Sequence, residues 1–256
     1  MRADRYCAAK YGSRTKAAEA IERGEVLVNG KPVRPADEIK DADAVEYLVP
    51  AERYVSNGGY KLARALRAFG TDVSGKVFAD IGASTGGFTD CLLQSGAKKV
   101  YCIDVGESLL DPSLRGDGRI VNQENVNARF LKKEDFPEPL DGIVIDVSFI
   151  RLELILPVLR DIVSPRGVVL ALVKPQFECD GKRQLSKSGI VTDARRRRKI
   201  VERIYDACLE NELYPQDLVN APLRERKNVE YVLLLGRNKA ACADKKAIGD
   251  KADRLI

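Results

Sequence analysis

Val77-Phe78-Ala79-Asp80-Ile81-Gly82-Ala83-Ser84-Thr85-Gly86-Gly87-Phe88-Thr89 carries an apolar run into an acid, through a glycine-dense turn and on into the helix-like Thr89-Asp90-Cys91-Leu92-Leu93. Glycine adopts positive φ without a Cβ clash and lets backbone approach a ligand closely. In an open parallel sheet such a turn sits at the carboxyl end of a strand, where cofactors bind. The segment nearly fits the phosphate loop G-x-x-x-x-G-K-[ST], but Phe88 stands where the phosphate-binding lysine is required. The dinucleotide fingerprint fails as well, because Ser84 replaces its middle glycine. A ligand with a ribose and base but no phosphates remains, and S-adenosylmethionine fits best. Asp80 is placed to meet its amine, and Asp104, ending the apolar Val100-Tyr101-Cys102-Ile103, to take its ribose hydroxyls. The alternative is a turn that only packs strand on helix.

Around this turn, strands and helices alternate from Lys61 onward. Helix Lys61–Phe69 precedes strand Val77–Asp80 and helix Thr89–Gln94; strand Val100–Asp104 leads to a short strand near Arg119–Asn122. Strand Gly142–Asp146, helix Leu152–Ile162, strand Gly167–Val173, helix Asp193–Leu209 and a hairpin through Asp217–Ala221 and Val229–Leu235 follow. This predicts an α/β fold, a doubly wound Rossmann-like sheet with an antiparallel strand at its end. Residues 237–256, rich in alanine, lysine and aspartate, read as a C-terminal tail, mobile or loosely helical.

Residues 1–48 read as a separate small α+β domain. Ser13 is a good N-cap for a helix Arg14–Arg23, and Gly24 a C-terminal stop. Val26-Leu27-Val28 meets Asn29-Gly30, a strong hairpin signal, and Ala44–Tyr47 supplies another strand. Residues 1–35 hold eight basic against four acidic side chains, whereas 36–48 hold one against five. Such concentrated charge is a footprint for a phosphate backbone or an ordinary solvated face. Residues 49–60, with Ser56-Asn57-Gly58-Gly59, read as the linker to a domain spanning 61–236.

Composition narrows the chemistry. The 256 residues carry a formal charge of +5, six scattered cysteines without a C-x-x-C pair, and no histidine. Zinc sites of the usual ligand types and Ser-His or Cys-His nucleophiles are therefore not expected, nor is any other metal. Scattered cysteines without a signal peptide point to reduced thiols in the cytoplasm. No apolar run approaches the roughly 20 residues that span a bilayer, so no membrane partner is expected. Proton transfer must fall to Lys, Asp, Glu or Tyr. Asp146 and Lys174 end near-continuous apolar strands, at the rim of a ligand crevice, while Lys61 follows the linker glycines and Glu230 opens the last apolar strand. A general base for a ribose hydroxyl needs a lowered pKa, and lysine shifts readily beside another cation. Lys174 is the candidate base, Lys61 and a donor sulfonium the cations beside it, and Asp146 and Glu230 the carboxylates that orient the pair. The other reading is a set of ion pairs tying strand ends together.

Two resemblances follow from these residues. Ser13-Arg14-Thr15-Lys16-Ala17, Ile21, Gly24, Val26, Val28-Asn29-Gly30 and Lys31 resemble the RNA-binding module shared with ribosomal protein S-four, the alpha-L motif. Membership implies that Arg5, Ser13, Arg14, Lys16, Asn29 and Lys31 lie near RNA phosphates. Lys61, Asp146, Lys174 and Glu230 resemble the Lys-Asp-Lys-Glu tetrad of FtsJ/RrmJ-class ribose 2′-O-methyltransferases. With Tyr54–Leu62, Asp146-Val147-Ser148-Phe149-Ile150 and Val173-Lys174-Pro175-Gln176-Phe177-Glu178, the chain is similar to the TlyA (haemolysin A) family over about residues 1–236. That likeness implies cytidine 2′-O-methylation in ribosomal RNA, free or in subunits, with S-adenosylmethionine held by the turn from Asp80 to Phe88, Asp104, Asp146, and Glu124-Asn125. Asn57 stands where these proteins commonly have arginine, and Arg151 where serine or alanine is usual.

Other features divide between two readings. Arg195-Arg196-Arg197-Arg198-Lys199 is either an RNA contact or a solvated helix start. The basic loop Gly181–Gly189, with Lys182, Arg183, Lys187 and Ser188, is either a clamp on the target strand or a surface loop. Phe149 is expected in the sheet core, with stacking on a flipped base as the alternative. A ribosome-assembly factor with a non-catalytic methyltransferase fold is the competing function, and no amphipathic stretch supports a membrane-lysing toxin.

Overall fold

The computed structural model describes residues 1–48, 53–179, 185–186, 188–224 and 227–254. Lys182, Arg183 and Lys187 of the basic loop, and 49–52 of the linker, lie outside the described residues. The chain divides into two compact units, Met1–Asn57 and Gly58–Ile256.

In the first unit, helices α1 (Ala3–Tyr6), α2 (Ala8–Tyr11) and α3 (Arg14–Glu22) precede β1 (Val26–Val28), β2 (Lys31–Pro32) and β3 (Val45–Tyr47). The strands form one antiparallel sheet in the order β2-β1-β3. Ser13 Oγ accepts from the Lys16 N–H, so the expected N-cap forms. Asn29 and Gly30 both take positive φ, which the primed hairpin turn requires. Ala3, Cys7, Ala17, Ile21, Val26, Val28 and Ile39 make a small core. Asn57, the position that departs from the family pattern, accepts through Oδ1 from Arg23 Nη1 at 2.8 Å.

Helix α4 (Asn57–Phe69) starts earlier than the expected Lys61, and all of it after Asn57 belongs to the second unit. Its remaining elements are β4 (Val77–Ile81), α5 (Gly87–Gln94), β5 (Lys99–Ile103), β6 (Ile120–Gln123), β7 (Leu140–Ile145), α6 (Leu156–Ile162), β8 (Val163–Val173), α7 (Pro175–Glu178), α8 (Ala194–Glu210), β9 (Tyr214–Asn220), β10 (Tyr231–Gly236) and α9 (Lys245–Asp253). Seven strands run in the order β6-β5-β4-β7-β8-β10-β9. β4 through β8 are mutually parallel, and β10 is antiparallel to both β8 and β9. The antiparallel strand is thus next to the edge, correcting the expectation that it would close the sheet. The chain winds outward from β4 to β6 and returns to β7 on the other side of β4. The gap between the ends of β4 and β7 is therefore the topological switch point, where open sheets bind ligands.

The expected tail is also corrected. Residues 245–253 form α9, with Ile248, Gly249 and Ala252 buried. Asp244 caps it by accepting from the Ala247 N–H. The basic run at the start of α8 is not a uniform solvated face either. Arg197 is buried, and Arg198 pairs with Glu202, Asp250 and Asp253. No helix among the described residues is long and apolar enough to cross a membrane.

Candidate active site

The glycine turn forms because its backbone needs what glycine permits. Gly82, Ser84 and Gly86 all have positive φ. A Cβ on Gly82 would stand 2.8 Å from the Asp146 carbonyl oxygen, so β4 and β7 approach closely only with glycine there. The Gly82 and Ala83 N–H groups donate to the Ile103 carbonyl, and the Ser84 N–H to Asp104 Oδ2 at 2.8 Å. Asp104 Oδ1 accepts from the Gly106 N–H at 2.8 Å, which ties the ends of β4 and β5 around one carboxylate.

A cleft of about 590 Å³ opens at this switch point, within the size range of small-molecule sites. Of the expected cofactor residues, Gly82, Ser84, Asp104 and Asp146 line it. Asp80, Ala83, Gly86, Gly87, Phe88, Glu124 and Asn125 lie outside its lining. The reason is packing: Phe88 is 2% exposed behind the turn, and Asp80 is fully buried. One Asp80 oxygen accepts from the N–H and hydroxyl of Thr89, at 2.9 and 2.7 Å, fixing the start of α5. Glu124 accepts from Asn122 Nδ2, while the neighbouring Asn127, Arg129, Val105 and Leu109 supply the wall. Sequence reasoning missed this wall, because its residues share no spacing rule.

Burial raises the Asp80 carboxyl to about 7, against which its hydrogen bonds to Thr89 work only in part. An acid held neutral in the fold but ionised in the unfolded chain binds more protons when folded, so stability falls as pH rises. Between the ordinary carboxylate value near 3.8 and about 7 the protein is therefore expected to lose stability from this group. Asp80→Asn, which keeps an acceptor for Thr89, should flatten that slope. Denaturant titrations at several pH values check it, and an equal slope in both proteins contradicts it.

The four candidate catalytic side chains form two ion pairs. Lys61 Nζ lies 2.7 Å from Glu230 Oε2, and Lys174 Nζ lies 2.5 Å from Asp146 Oδ1. The two pairs join through the sheet: Tyr231 faces Val173 across β10 and β8, so Glu230 and Lys174 occupy neighbouring strand ends. Lys174 is only 8% exposed. Its aligned hydrogen bond goes to Ser148 Oγ at 2.8 Å, and Asp146 provides an ion pair rather than a well-aligned bond. Gln176 Nε2 donates to Glu230 Oε1 at 3.1 Å. Ser148 and Gln176 were missed as site residues, although both sit inside the sequence phrases that carry the resemblance. Two carboxylates and two amines in a half-buried group can position a hydroxyl and accept its proton.

Phe149 reverses its expectation. It is 90% exposed at φ 63°, lines the cleft, and lies 4.8 Å from the Phe177 ring, centroid to centroid. An L-residue in the left-handed region costs about 1–2 kcal/mol, so the turn holds this ring outward against its backbone preference. Arg151 donates from Nη2 to the Cys179 carbonyl at 3.4 Å, which gives the second departing position a bracing contact.

In the first unit, Arg5, Lys16 and Lys31 are exposed. Arg14 shares the buried Asp4 with Arg2, at 3.0 and 2.9 Å. Ser13 and Asn29 spend their side chains on their own domain, Asn29 through Asp43 Oδ1 and the Ala44 N–H.

A parallel sheet with its antiparallel strand next to the edge, a glycine turn after β4 and a cleft at the switch point together define a Rossmann-like methyltransferase. The chain belongs to the FtsJ-like methyltransferase family, whose sequence profile matches residues 54–237, and it carries an S4 domain over residues 1–45. It is 40% identical to Hemolysin A of Brachyspira hyodysenteriae over 86% of this chain and 92% of that one. It is 39% identical to the 16S/23S rRNA (cytidine-2′-O)-methyltransferase TlyA of Mycobacterium tuberculosis, over 95% of this chain and 92% of the relative. The solved structure of a hemolysin-named protein from Lactococcus lactis superposes with a TM-score of 0.73 at 39% identity, covering 79% of this chain and 99% of that chain.

Proposed function

We propose that this methyltransferase transfers a methyl group from S-adenosylmethionine to the 2′-hydroxyl of a cytidine in ribosomal RNA. The observation that carries the reading is the two ion pairs Lys61–Glu230 and Lys174–Asp146, brought to adjoining strand ends by the pairing of β10 with β8, with Asp146 in the cleft lining. The names of the relatives support the RNA class and the sugar position. The residues present fit the donor: Gly82 and Ser84 offer a backbone surface without bulk, and Asp104 is a carboxylate at the cleft wall. When bound, S-adenosylmethionine supplies an electrophilic methyl carbon.

The chain's own residues do the rest. Lys174 Nζ, held beside Asp146 and Ser148, is the group placed to accept the proton of the ribose hydroxyl. Asp146 and Ser148 hold that nitrogen from two sides, and Glu230 keeps Lys61 beside the developing alkoxide. A general base contributes about 10²–10⁴-fold, and alignment of nucleophile with the methyl carbon adds a proximity effect. Arg5, Arg14, Lys16 and Lys31 supply cations to RNA phosphates, while Ser13 and Asn29 shape the surface that presents them. Phe149 offers its exposed face to the target base.

Phe149→Ala is expected to lower kcat/KM for RNA by about 5–150-fold, the equivalent of about 1–3 kcal/mol of base stacking. Steady-state kinetics against subunits checks this, and an unchanged kcat/KM contradicts the stacking role. The function itself is tested by incubating purified protein and labelled S-adenosylmethionine with ribosomal RNA and with isolated subunits. Label in RNA supports the reading. Calorimetric binding of the donor with no label in either substrate would leave a binding protein instead.

A further inference from the structure

Behind the tetrad, buried polar groups join four segments of the second unit. Tyr231 is fully buried; its hydroxyl accepts from Arg197 Nε at 3.1 Å and donates to the Ala252 carbonyl at 2.9 Å. Arg197 also donates through Nη1 to the carbonyls of Val191 and Thr192, at 3.2 and 2.9 Å. A buried guanidinium or phenol deprived of a partner carries a large desolvation cost. The bonds therefore hold segment 191–192, α8, β10 and α9 in one arrangement.

Tyr231 occupies a particular register. It faces Val173 on one side and Asn220 on the other. Glu230, which holds Lys61, precedes it, and Lys174 follows Val173. The Asn220 carbonyl accepts from Arg64 Nε at 2.8 Å, one helical turn beyond Lys61 on α4. Two carriers of the tetrad, β10 and β8, thus meet at the register of this buried tyrosine, and α4 is tied to the same register through Asn220. Its acceptor lies on α9, beyond residue 237 where the match to the methyltransferase family ends. Ion pairs of Arg198 with Asp250 and Asp253, at 2.7 and 2.8 Å, and of Lys245 with Asp206, at 2.5 Å, dock that helix.

We infer that α9 is a positioning element of the active site: the Ala252 carbonyl fixes Tyr231, and Tyr231 fixes the strand end that presents Glu230 beside Lys174. The inference rests on the tetrad reading above and extends it to a helix outside the methyltransferase core. Tyr231 touches no reacting atom; it acts through Glu230.

Tyr231→Phe keeps the ring and removes both hydrogen bonds. In the full chain, assayed well below its melting temperature, kcat is expected to fall about tenfold to a hundredfold, since misplacement of catalytic groups by about 1 Å has effects of that order. KM for S-adenosylmethionine should not change, because neither Tyr231 nor Ala252 lines the cleft. Lys251→Ala, which removes an exposed ion pair to Asp217, should lower the melting temperature and retain kcat. A chain ending at Asp244 should show the same loss of kcat as Tyr231→Phe, without further loss when the two are combined. If that shortened chain does not fold, Tyr231→Phe decides alone. Wild-type kcat in Tyr231→Phe, even with a lowered melting temperature, overturns the inference. Were Lys174→Ala active as well, the tetrad reading would have failed; an inactive Lys174→Ala beside a fully active Tyr231→Phe removes only the role of α9.

Discussion

Lys174→Ala is expected to lower the rate of methyl transfer by about 10²–10⁴-fold while leaving donor binding intact. Lys174 is nearly buried between Asp146 and Ser148, and it is not among the residues lining the cleft. Its loss would remove the proposed proton acceptor without removing a residue that lines the cleft. The variant also leaves Asp146 as a carboxylate without its cation, which costs stability as well as rate. The comparison is therefore made at a temperature where both proteins are folded, with calorimetry of S-adenosylmethionine alongside single-turnover transfer. Retained rate in Lys174→Ala would assign the proton to another group. Lost donor binding would instead mean that Lys174 supports the cofactor site.

The second large effect is expected at Gly82. Alanine there meets two obstacles at once, a φ of +80° and a backbone oxygen of Asp146 only 2.8 Å from the new Cβ. A backbone carbonyl just past β7 cannot swing aside like a side-chain end, so the chain leaving β7 must move, and Asp146 with it. Gly82→Ala should weaken S-adenosylmethionine by about tenfold or more and reduce transfer by about 10²-fold. Gly75→Ala provides the contrast. That glycine also has positive φ, +70°, but lies before β4 with open space around it. It should cost about 1–2 kcal/mol of stability with unaltered kinetics. Equal kinetic effects of the two variants would show that backbone strain, and not closeness to Asp146, accounts for Gly82.

Most of the sheet is legible in the chain because its strands are buried on both faces and read as apolar runs ended by functional residues. Asp146 and Lys174 fall at such ends, and the structure pairs them at 2.5 Å. The insertion of β10 between β8 and β9 is not legible, since a hairpin in sequence does not say which of its strands meets the sheet. That the C-terminal segment docks as an ordered helix, rather than staying mobile or loosely helical, was not legible for a different reason. Its buried stripe is only Ile248, Gly249 and Ala252, and its docking depends on ion pairs with residues far away in sequence. Phe149 was misjudged because hydrophobicity argues for burial, whereas its turn puts the residue at φ 63° and turns the ring to solvent. At the glycine turn, spacing identified the segment but not which of its members line the cleft. Asp80 and Phe88 build the turn from behind, while Gly82 and Ser84 form its surface.

Nucleoside mass spectrometry of ribosomal RNA after incubation with the wild-type protein and S-adenosylmethionine tests the central proposal most directly. The proposed function predicts 2′-O-methylcytidine, and the arrangement of Lys61, Asp146, Lys174 and Glu230 predicts that the added mass lies on the ribose. A methyl group found on a base, or ribose methylation undiminished in Lys174→Ala, would contradict it.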